Sequence, residues 1–267
     1  TGSQHFLLSE KISQSLAGRA AVLELLPFSI SELAGREPRR PSDLPWRFSG
    51  ATPAGPKSTL DELLFSGFFP RIHDKKLDPA PWLDSYLLTY VQRDVRLLSD
   101  LGDLDAFTRF LRLSAGRTGQ LLNLSALGGD TGIDQTTARR WLSLLRTSYI
   151  VDILQPHHAN FRKRLVRTPK LYFTDTGLLC HLLGIRSVEQ LRSHPLRGAI
   201  FENLVVSELR RLFLNAGEQP PLYFWRDSRG REVDVLIDLG QKVLAVEAKS
   251  GQTIGGDFFD GLAYYAE

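Results

Sequence analysis

The chain has 267 residues, of which 42% are hydrophobic and 24% are charged, and its formal net charge is +3. These values are ordinary for a globular protein, and the length leaves room for about two or three domains. The single cysteine, Cys180, excludes an intrachain disulfide and a multi-cysteine zinc site. Because charges interrupt every long apolar stretch and the first ten residues lack a signal-peptide pattern, we expect a cytoplasmic protein without a membrane span.

The first hundred residues alternate between apolar runs and a proline-rich stretch. Residues 1–8 are typical of a strand end that leads into a helix, and residues 20–25 form an apolar run that predicts a buried strand. Pro27 ends that run, because proline has no amide to donate. Five prolines between residues 37 and 58 predict a linker. Apolar residues spaced by three and four over residues 82–90 then predict a helix.

The middle of the chain has the element order of a winged helix. Residues 105–114 form an amphipathic helical pattern, and the glycines of residues 128–132 predict a turn. Asp134 follows, and its carboxylate is placed to cap a further helix. Two β-like runs, residues 149–154 and 170–174, flank a basic loop. Helices, a turn, a third helix and two strands around a loop together predict a winged helix.

The last third of the chain alternates helices with strands. A short helix is predicted over residues 177–183, and a long helix over residues 198–214. Three strand-like runs follow at residues 223–226, 232–239 and 242–248. This order predicts an α/β unit that ends in a hairpin.

Several longer motifs resemble those of a known protein family. They are Thr1-Gly2-Ser3-Gln4, Ser15-Leu16-Ala17-Gly18-Arg19, Leu26-Pro27-Phe28-Ser29, Tyr90-Val91-Gln92-Arg93-Asp94-Val95, residues 116–123, residues 169–178, and Glu232-Val233-Asp234 with Glu247-Ala248-Lys249. Together they resemble prokaryotic AAA+-type ATPases that carry a C-terminal domain of unknown function. The resemblance implies an ATPase module, a winged helix and a terminal domain like the PD-(D/E)XK nucleases, and it settles architecture better than function.

The resemblance divides the chain into four parts. Residues 1–36 correspond to the C-terminal remnant of the ATPase core and residues 37–100 to a linker and helical segment. Residues 101–184 correspond to the winged-helix domain, and residues 185–267 to a nuclease-like domain that is cut short at its C-terminus. The expected fold class is therefore multidomain, α/β and α+β: a remnant of a P-loop ATPase core, a winged helix-turn-helix and a restriction-endonuclease-like α/β domain.

The phosphate-binding loop of such an ATPase is missing. That loop needs backbone amides and a lysine between a strand and a helix to cradle phosphates. The nearest candidate, residues 50–58, contains Pro53 and Pro56, which remove two of the amides. We therefore expect a fragment that lacks this half of the site, so that ATP binds only in a longer protein.

Three residues are nucleotide-sensing candidates by resemblance alone. Ser3 and Gln4 correspond to a strand tip that senses the γ-phosphate, and Arg19 corresponds to an arginine that contacts phosphate. The alternative is a polar strand end and a surface arginine, and the sequence leaves both interpretations open.

The predicted winged helix carries two groups of basic residues. The buried stripe of its third helix leaves Arg139, Arg140 and Arg146 on other faces. The loop that follows supplies Arg162, Lys163, Arg164 and Arg167. Arginine pairs with guanine edges and phosphates, so these residues predict DNA contact. The alternative is a solvated face or a protein-docking module. His157 and His158, just upstream, are interpreted as an exposed loop pair rather than metal ligands.

The terminal hairpin carries the clearest chemical pattern. If Gly240-Gln241 is a two-residue turn, counting outward places Val235 opposite Val246 and Asp234 opposite Glu247. Strict alternation then puts three valine and isoleucine positions of the first strand, Val233, Val235 and Ile237, on the opposite, apolar face.

Two carboxylates side by side repel each other, and a divalent cation would relieve that repulsion. Asp234 and Glu247 are therefore the predicted ligands of Mg²⁺ or Mn²⁺. Lys249 would position the attacking water, and Glu202 on the long helix is a further catalytic candidate or an ordinary surface acid. The alternative for the hairpin is an exposed strand face with a Glu232–Lys249 salt bridge.

These observations predict a DNA-directed protein with a winged helix and a metal-dependent nuclease-like domain, with DNA as its partner. One alternative is a non-catalytic DNA-binding or regulatory switch. The other is a signalling-type ATPase whose terminal domains bind a protein partner. Whether the chain forms a homo-oligomer stays open.

Overall fold

The computed structural model describes residues 23–37, 39–44, 58–90, 103–157, 168–251 and 259–266. The helices in these ranges are α1 (Ile30–Leu33), α2 (Leu60–Ser66), α3 (Pro70–Asp74), α4 (Pro79–Thr89), α5 (Leu104–Ala115), α6 (Leu124–Thr131), α7 (Gln135–Thr147), α8 (Thr176–Leu182), α9 (Val188–Ser193), α10 (Arg197–Asn215) and α11 (Asp260–Ala266), with a 3₁₀ turn at Pro41–Asp43. The strands are β1 (Val151–Pro156), β2 (Lys170–Phe173), β3 (Leu222–Arg226), β4 (Glu232–Asp238) and β5 (Val243–Val246).

The strands form one mixed sheet in the order β2-β1-β3-β4-β5. β1 pairs antiparallel with β2 and parallel with β3, and β4 pairs antiparallel with both β3 and β5. The two strands predicted for the winged helix and the three predicted for the nuclease-like domain therefore share a sheet. The predicted boundary between residues 184 and 185 does not separate two sheets.

The helices before β1 pack around an aromatic core. Phe107 and Phe110 of α5 each meet the Trp141 ring of α7 edge-on, at centroid distances of 5.4 and 5.5 Å. The buried stripe predicted for α7, which comprises Ala138, Trp141, Leu142 and Leu145, is buried throughout. Asp134 caps α7 as predicted, since its side chain accepts from the amides of residues 136 and 137. The same core includes Leu64 of α2 and Leu83 of α4, so it extends into the segment between residues 58 and 90.

The turn predicted at residues 128–132 is largely helix, because α6 extends to Thr131. A Cβ on Gly128 would lie 2.9 Å from the Ile133 carbonyl oxygen, so glycine at this position allows the backbone to approach closely. Only Gly132 acts as a chain reversal: its φ of +84° ends the helix in the left-handed conformation.

The buried strand predicted over residues 20–25 is wrong for its described half. Residues 23–26 have no strand conformation, and Leu23 and Leu25 are 78% and 90% exposed. An apolar run becomes a buried strand only when another strand pairs with it, and no described strand does so here. Ser3, Gln4 and Arg19 lie outside the described residues.

Helix α10 connects the two larger cores of the described structure. Ile200 and Leu204 near its start join the aromatic core, whereas Val206 and Phe213 pack with Phe224 of the sheet. Between these sets, the buried Asn203 binds β2: its Oδ1 accepts from the Phe173 amide at 2.7 Å and its Nδ2 donates to the Phe173 carbonyl. These bonds fix α10 against β2. None of the described helices is long and apolar enough to cross a membrane.

The chain's one cysteine is a buried residue of α8. Cys180 is 1% exposed, its thiol lies 3.5 Å from the Leu64 carbonyl, and burial raises its pKa above the usual value. Because the thiolate is the reactive form, we expect the native protein to be inert towards a disulfide reagent such as dithionitrobenzoate. Reaction should begin only in the urea range that unfolds the protein by circular dichroism. Rapid reaction in buffer would contradict this placement.

Candidate functional site

The register of the terminal hairpin agrees with the prediction. Val235 pairs with Val246, and Leu236 pairs with Ala245. The Leu239 amide donates to the Lys242 carbonyl at 2.9 Å, which closes a two-residue turn. Gly240, its first residue, has a φ of +78°, the left-handed region that such turns require. The turn and the pairs from Asp238–Val243 to Val235–Val246 are therefore as predicted, whereas the predicted Asp234–Glu247 pair lies beyond the last pair of the ladder.

A β-bulge in β4 alters which residues share a face. Trp225 of β3 pairs with Val233, but Tyr223, two residues away, pairs with Leu236, three residues further on. One extra residue is therefore inserted into β4 between these pairs, around Asp234. A bulge of this kind changes the direction in which a side chain points and leaves one residue without a partner on the neighbouring strand.

The bulge overturns the strict alternation that the sequence predicts. Val233 packs with Leu236 in a small cluster on the α11 side of the sheet, whereas Val235 and Ile237 pack with residues of α10. Asp234 also lies on the α10 side, because its carboxylate is grouped with an acid of that helix. The predicted single face of Val233, Val235 and Ile237 is thus wrong at Val233.

Three acids lie together where α10 crosses β4. Carboxylate oxygens of Glu202, Glu232 and Asp234 all lie within 4.8 Å of one another. Asp234 is 7% exposed, and its Oδ2 accepts from the Ala248 amide at 2.8 Å. That bond places the carboxylate beside the peptide that follows Glu247. The structure thus brings three predicted site residues, Glu202, Asp234 and Glu247, to one region.

Two residues of β2 complete the cluster, and the sequence analysis missed both as site residues. The ammonium of Lys170 lies 3.0 Å from Glu202 Oε1 and also contacts Glu232. The Tyr172 hydroxyl donates to the same Glu202 oxygen. Lys170 is only 1% exposed. A lysine and a tyrosine that alternate with leucine and phenylalanine in a strand were the available signal, since a lysine is rarely buried without a partner.

The salt bridge in the alternative interpretation of the hairpin is not formed. The predicted Glu232–Lys249 pair is replaced, because Glu232 pairs with Arg226 at 2.7 Å and with Lys170, while Lys249 pairs with Glu247 at 2.5 Å. The face is buried at Glu247, whose side chain is 9% exposed, and exposed at Lys249, whose side chain is 47% exposed.

Burial and charge act in opposite directions on the titrating groups of the cluster. Burial raises the pKa of Glu202, which Lys170 opposes and the charge of Asp234 reinforces. Burial by itself would lower the pKa of Lys170, but Glu202 and Glu232 raise it above the usual value. Lys249 behaves in the same way: its hydrogen bond to Glu247 and the neighbouring acids outweigh burial and raise its pKa. Both lysines are therefore cations at neutral pH.

In each of three carboxylates, one oxygen accepts a hydrogen bond from a protein donor and the other does not. The held oxygens are Glu202 Oε1, Asp234 Oδ2 and Glu247 Oε1. Within the described residues the second oxygen of each accepts no hydrogen bond, and Glu247 Oε2 is buried without a partner. A buried carboxylate oxygen without a donor is costly unless something else binds it. Oxygen ligands oriented in this way fit Mg²⁺ or Mn²⁺.

The position of Glu232 suggests a metal ligand, but its ion pairs argue against that role. Its oxygens lie within the acidic group, yet Lys170 contacts one of them and Arg226 the other. An oxygen that is already bound to a cation is a poor metal ligand. Glu202 and Asp234 are therefore better suited as ligands than Glu232, which serves to hold Lys170, and Glu247 lies outside the group of oxygens that meet within 4.8 Å.

A turn after α5 covers the acidic group. The amide of Gly119 donates to the Leu171 carbonyl of β2 at 2.8 Å. A Cβ at this position would lie 3.4 Å from Glu202 Oε2, and the φ of Gly119 is +72°. On the same turn, the Thr118 hydroxyl bonds to Asn203 at 2.8 Å. Glu202 is thus enclosed by the turn, β2 and β4.

Three of the seven predicted DNA-contacting residues lie in the described part of the chain. Arg139, Arg140 and Arg146 are exposed on α7, as expected from the buried stripe. The basic loop residues Arg162, Lys163, Arg164 and Arg167 lie outside the described residues, as does His158.

His157 is not the exposed loop residue that the sequence predicts. It is 7% exposed, because its amide donates to the Phe224 carbonyl and its ring packs against Tyr223. Its Nε2 lies 3.2 Å from Asp238 Oδ2. The residue extends β1 alongside β3, so sheet pairing buries it.

Comparison with known proteins identifies families without an established role. Residues 57–189 match a family described as a domain of unknown function (DUF8612), and residues 197–267 match another domain of unknown function (DUF4143). A DUF4143 region is therefore present in the C-terminal part of the chain. Two uncharacterized proteins, from Mycobacterium bovis and Mycobacterium tuberculosis, are each 32% identical over 241 residues, which is 90% of this chain and 49% of theirs. The chain thus spans about half the length of these relatives. No solved structure matches the chain.

Proposed function

We propose that this chain is part of a DNA-directed, cytoplasmic protein of an ATPase family, with a metal-dependent nuclease-like site formed by α10, β4 and β5. The observation that supports the site is the arrangement of Glu202, Asp234 and Glu247. Each carboxylate is fixed through one oxygen and presents the other, and one of the presented oxygens is buried without a partner. Protein donors that orient metal ligands in this way are a general feature of metal sites.

The proposed chemistry is hydrolysis of a phosphodiester. A bound Mg²⁺ or Mn²⁺ would polarise the phosphate and lower the pKa of a coordinated water. The chain's own residues hold and orient: Glu202, Asp234 and Glu247 supply oxygen ligands, and Lys249 carries positive charge beside Glu247. In this position its ammonium can orient the attacking water and offset the negative charge that develops on phosphate. Incubation of duplex and branched DNA with Mn²⁺ tests for cleavage directly.

DNA contact is assigned to the exposed arginines of α7 and to the basic segment of residues 162–167. Replacing Arg139 and Arg140 with alanine should weaken binding to all DNA sequences and reduce the salt slope of log Kd by about two units. Fluorescence anisotropy at several salt concentrations measures both quantities. The matched control replaces two exposed cations, Arg71 of α3 and Lys75 directly after it, and should leave the slope unchanged. Equal slopes for the wild type and the α7 variant would favour a protein partner instead.

Nucleotide binding is assigned to the longer protein and not to this chain. Without the amide cradle and lysine of a phosphate-binding loop, most of the nucleotide affinity is missing. We expect no heat of ATP binding by calorimetry at millimolar nucleotide. The roles of Ser3, Gln4 and Arg19 belong to the same proposal and depend on the missing half. Clear binding by the present chain would show that the ATPase part has been misplaced.

A second candidate, a DNA-binding protein without catalysis, is favoured by the neutralised state of the cluster. Lys170 contacts two of the acids, and Lys249 contacts a third. Such a cluster is compatible with a folded protein that never binds a metal. Salt-dependent DNA binding without cleavage in Mn²⁺, and without any metal effect on melting, would support this candidate.

A further inference from the structure

Lys170 differs from every other lysine in the described part of the chain by its burial between two acids. Its side chain is 2% exposed and contacts Glu202 and Glu232 together. It also lies 5.5 Å from the centre of the Phe224 ring, which closes one side of its pocket. A buried ammonium is stable only when carboxylates compensate its lost hydration. The acids therefore stabilise the charged form of Lys170, and Lys170 stabilises their ionised forms.

The two acids that contact Lys170, Glu232 and Glu202, differ in their other partners. Glu232 also accepts from Arg226, so both of its oxygens are bound to cations. Glu202 has Lys170 as its cation partner and keeps Oε2 free of hydrogen bonds within the described residues. Lys170 is thus fixed on Glu232, while Glu202 contacts Lys170 through Oε1 and belongs to the same acidic group as Asp234.

We infer that Lys170 is an internal counter-cation, which holds Glu202 in the metal-free protein and competes with a divalent cation for the charge of that carboxylate. The inference rests on the proposed metal site, and it adds how the site is regulated. In the absence of metal, Lys170 already neutralises Glu202. The same ammonium lowers the affinity for an incoming cation, because two positive charges lie against one carboxylate.

The test compares the wild type with Lys170→Met, which keeps the length of the side chain and removes its charge. Without metal, the variant should melt about 5–10 °C lower, since it leaves two buried acids without their shared cation. Its Mn²⁺ affinity should nevertheless be at least about tenfold tighter, because one positive charge near the site is gone. Calorimetry measures the affinity, and scanning calorimetry measures the melting temperature with and without Mn²⁺. A purely structural lysine would lower the melting temperature and leave the affinity unchanged.

Arg226→Met is the matched control. It also removes a cation from Glu232, but Arg226 does not contact Glu202 and is partly exposed. Its Mn²⁺ affinity should change less than about threefold, since solvent screens an exposed charge. An increase as large as that of Lys170→Met would overturn the inference, because any nearby charge would then suffice.

Glu232→Gln provides a second route if Lys170→Met does not fold. Without the charge of Glu232, Lys170 depends on Glu202 alone, so Mn²⁺ should bind about tenfold more weakly. Unchanged affinity in this variant would also overturn the inference.

The outcomes separate the inference from the proposed function. Mn²⁺ binding by the wild type with no gain in Lys170→Met contradicts the inference and leaves the metal site standing. If Mn²⁺ binds to Lys170→Met but not to the wild type, the inference is supported and the native protein does not depend on a metal. Binding by neither protein overturns both.

Discussion

Asp234→Asn is expected to abolish metal-dependent cleavage of DNA while leaving the metal-free protein folded. Asp234 Oδ2 accepts from the Ala248 amide, and the asparagine oxygen can accept the same bond. The substitution therefore removes charge and one metal-binding oxygen but no structural contact. Even the outer partners of metal ligands contribute about 10–100-fold to affinity or activity, so loss of a ligand should cost more than about 100-fold. Cleavage rates with Mn²⁺ measure this effect.

Melting experiments give a second readout that does not depend on cleavage. At about one hundred times its Kd, Mn²⁺ should raise the melting temperature of the wild type by about 5–10 °C, because it binds only the folded state. Asp234→Asn should lose this response and should melt, without metal, within a few degrees of the wild type.

Asp238→Asn is the matched control, because it makes the same change on the same strand. Asp238 contacts His157 and the amide of Gly240, outside the acidic cluster. It should keep both cleavage and the response to Mn²⁺. If Asp234→Asn is instead strongly destabilised and Mn²⁺ affects neither protein, the carboxylates have a structural role and the nuclease proposal fails.

The parts of the site that the sequence predicted correctly depend on local rules. The register of β4 and β5 follows from counting outward from Gly240, because a two-residue turn fixes the four pairs next to it. The helix capped by Asp134 follows from one carboxylate and a regular apolar stripe. Both rules operate within about twenty residues of chain, so no tertiary information was needed.

The parts that the sequence did not predict depend on contacts between distant segments. Lys170 reaches Glu202 and Glu232 only because β2 and β4 belong to one sheet beneath α10. The order of elements predicts that β2 belongs to a separate winged helix, so this contact could not be foreseen. The bulge at Asp234 was hidden for a related reason: an unbroken alternation gives no sign of an inserted residue until the partner strand is known.

Burial was harder to predict than secondary structure. Leu25 was expected inside the protein and is exposed, whereas His157 was expected outside and is buried. In each case the residue type is compatible with both environments, and sheet pairing decides between them. Hydrophobic pattern alone therefore identified the elements of this chain better than the surfaces they bury.

Asp175→Ala is expected to destabilise the protein more than Asp103→Ala, which removes the cap of another helix. Asp175 caps α8 and is fully buried. Its carboxylate accepts from the Leu178 amide within its own helix and from the Phe68 amide of a distant segment, at 2.8 and 2.7 Å. Alanine would leave both buried amides without an acceptor, and each costs about 1–3 kcal/mol. We expect a loss of about 3–5 kcal/mol in the free energy of unfolding.

Asp103→Ala provides the comparison that isolates the effect of burial. Asp103 caps α5 in the same way, but it is exposed, and among the described residues its side chain accepts only from the amide of Ala106. Its loss should cost about 1 kcal/mol, the usual value for a helix cap. Urea denaturation with an unchanged m-value measures both variants. Gly67→Ala should resemble Asp175→Ala, because its Cβ would lie 2.3 Å from Asp175 Oδ1. Equal losses in Asp175→Ala and Asp103→Ala would show that Asp175 acts only as a local cap, without joining α8 to the segment at Phe68.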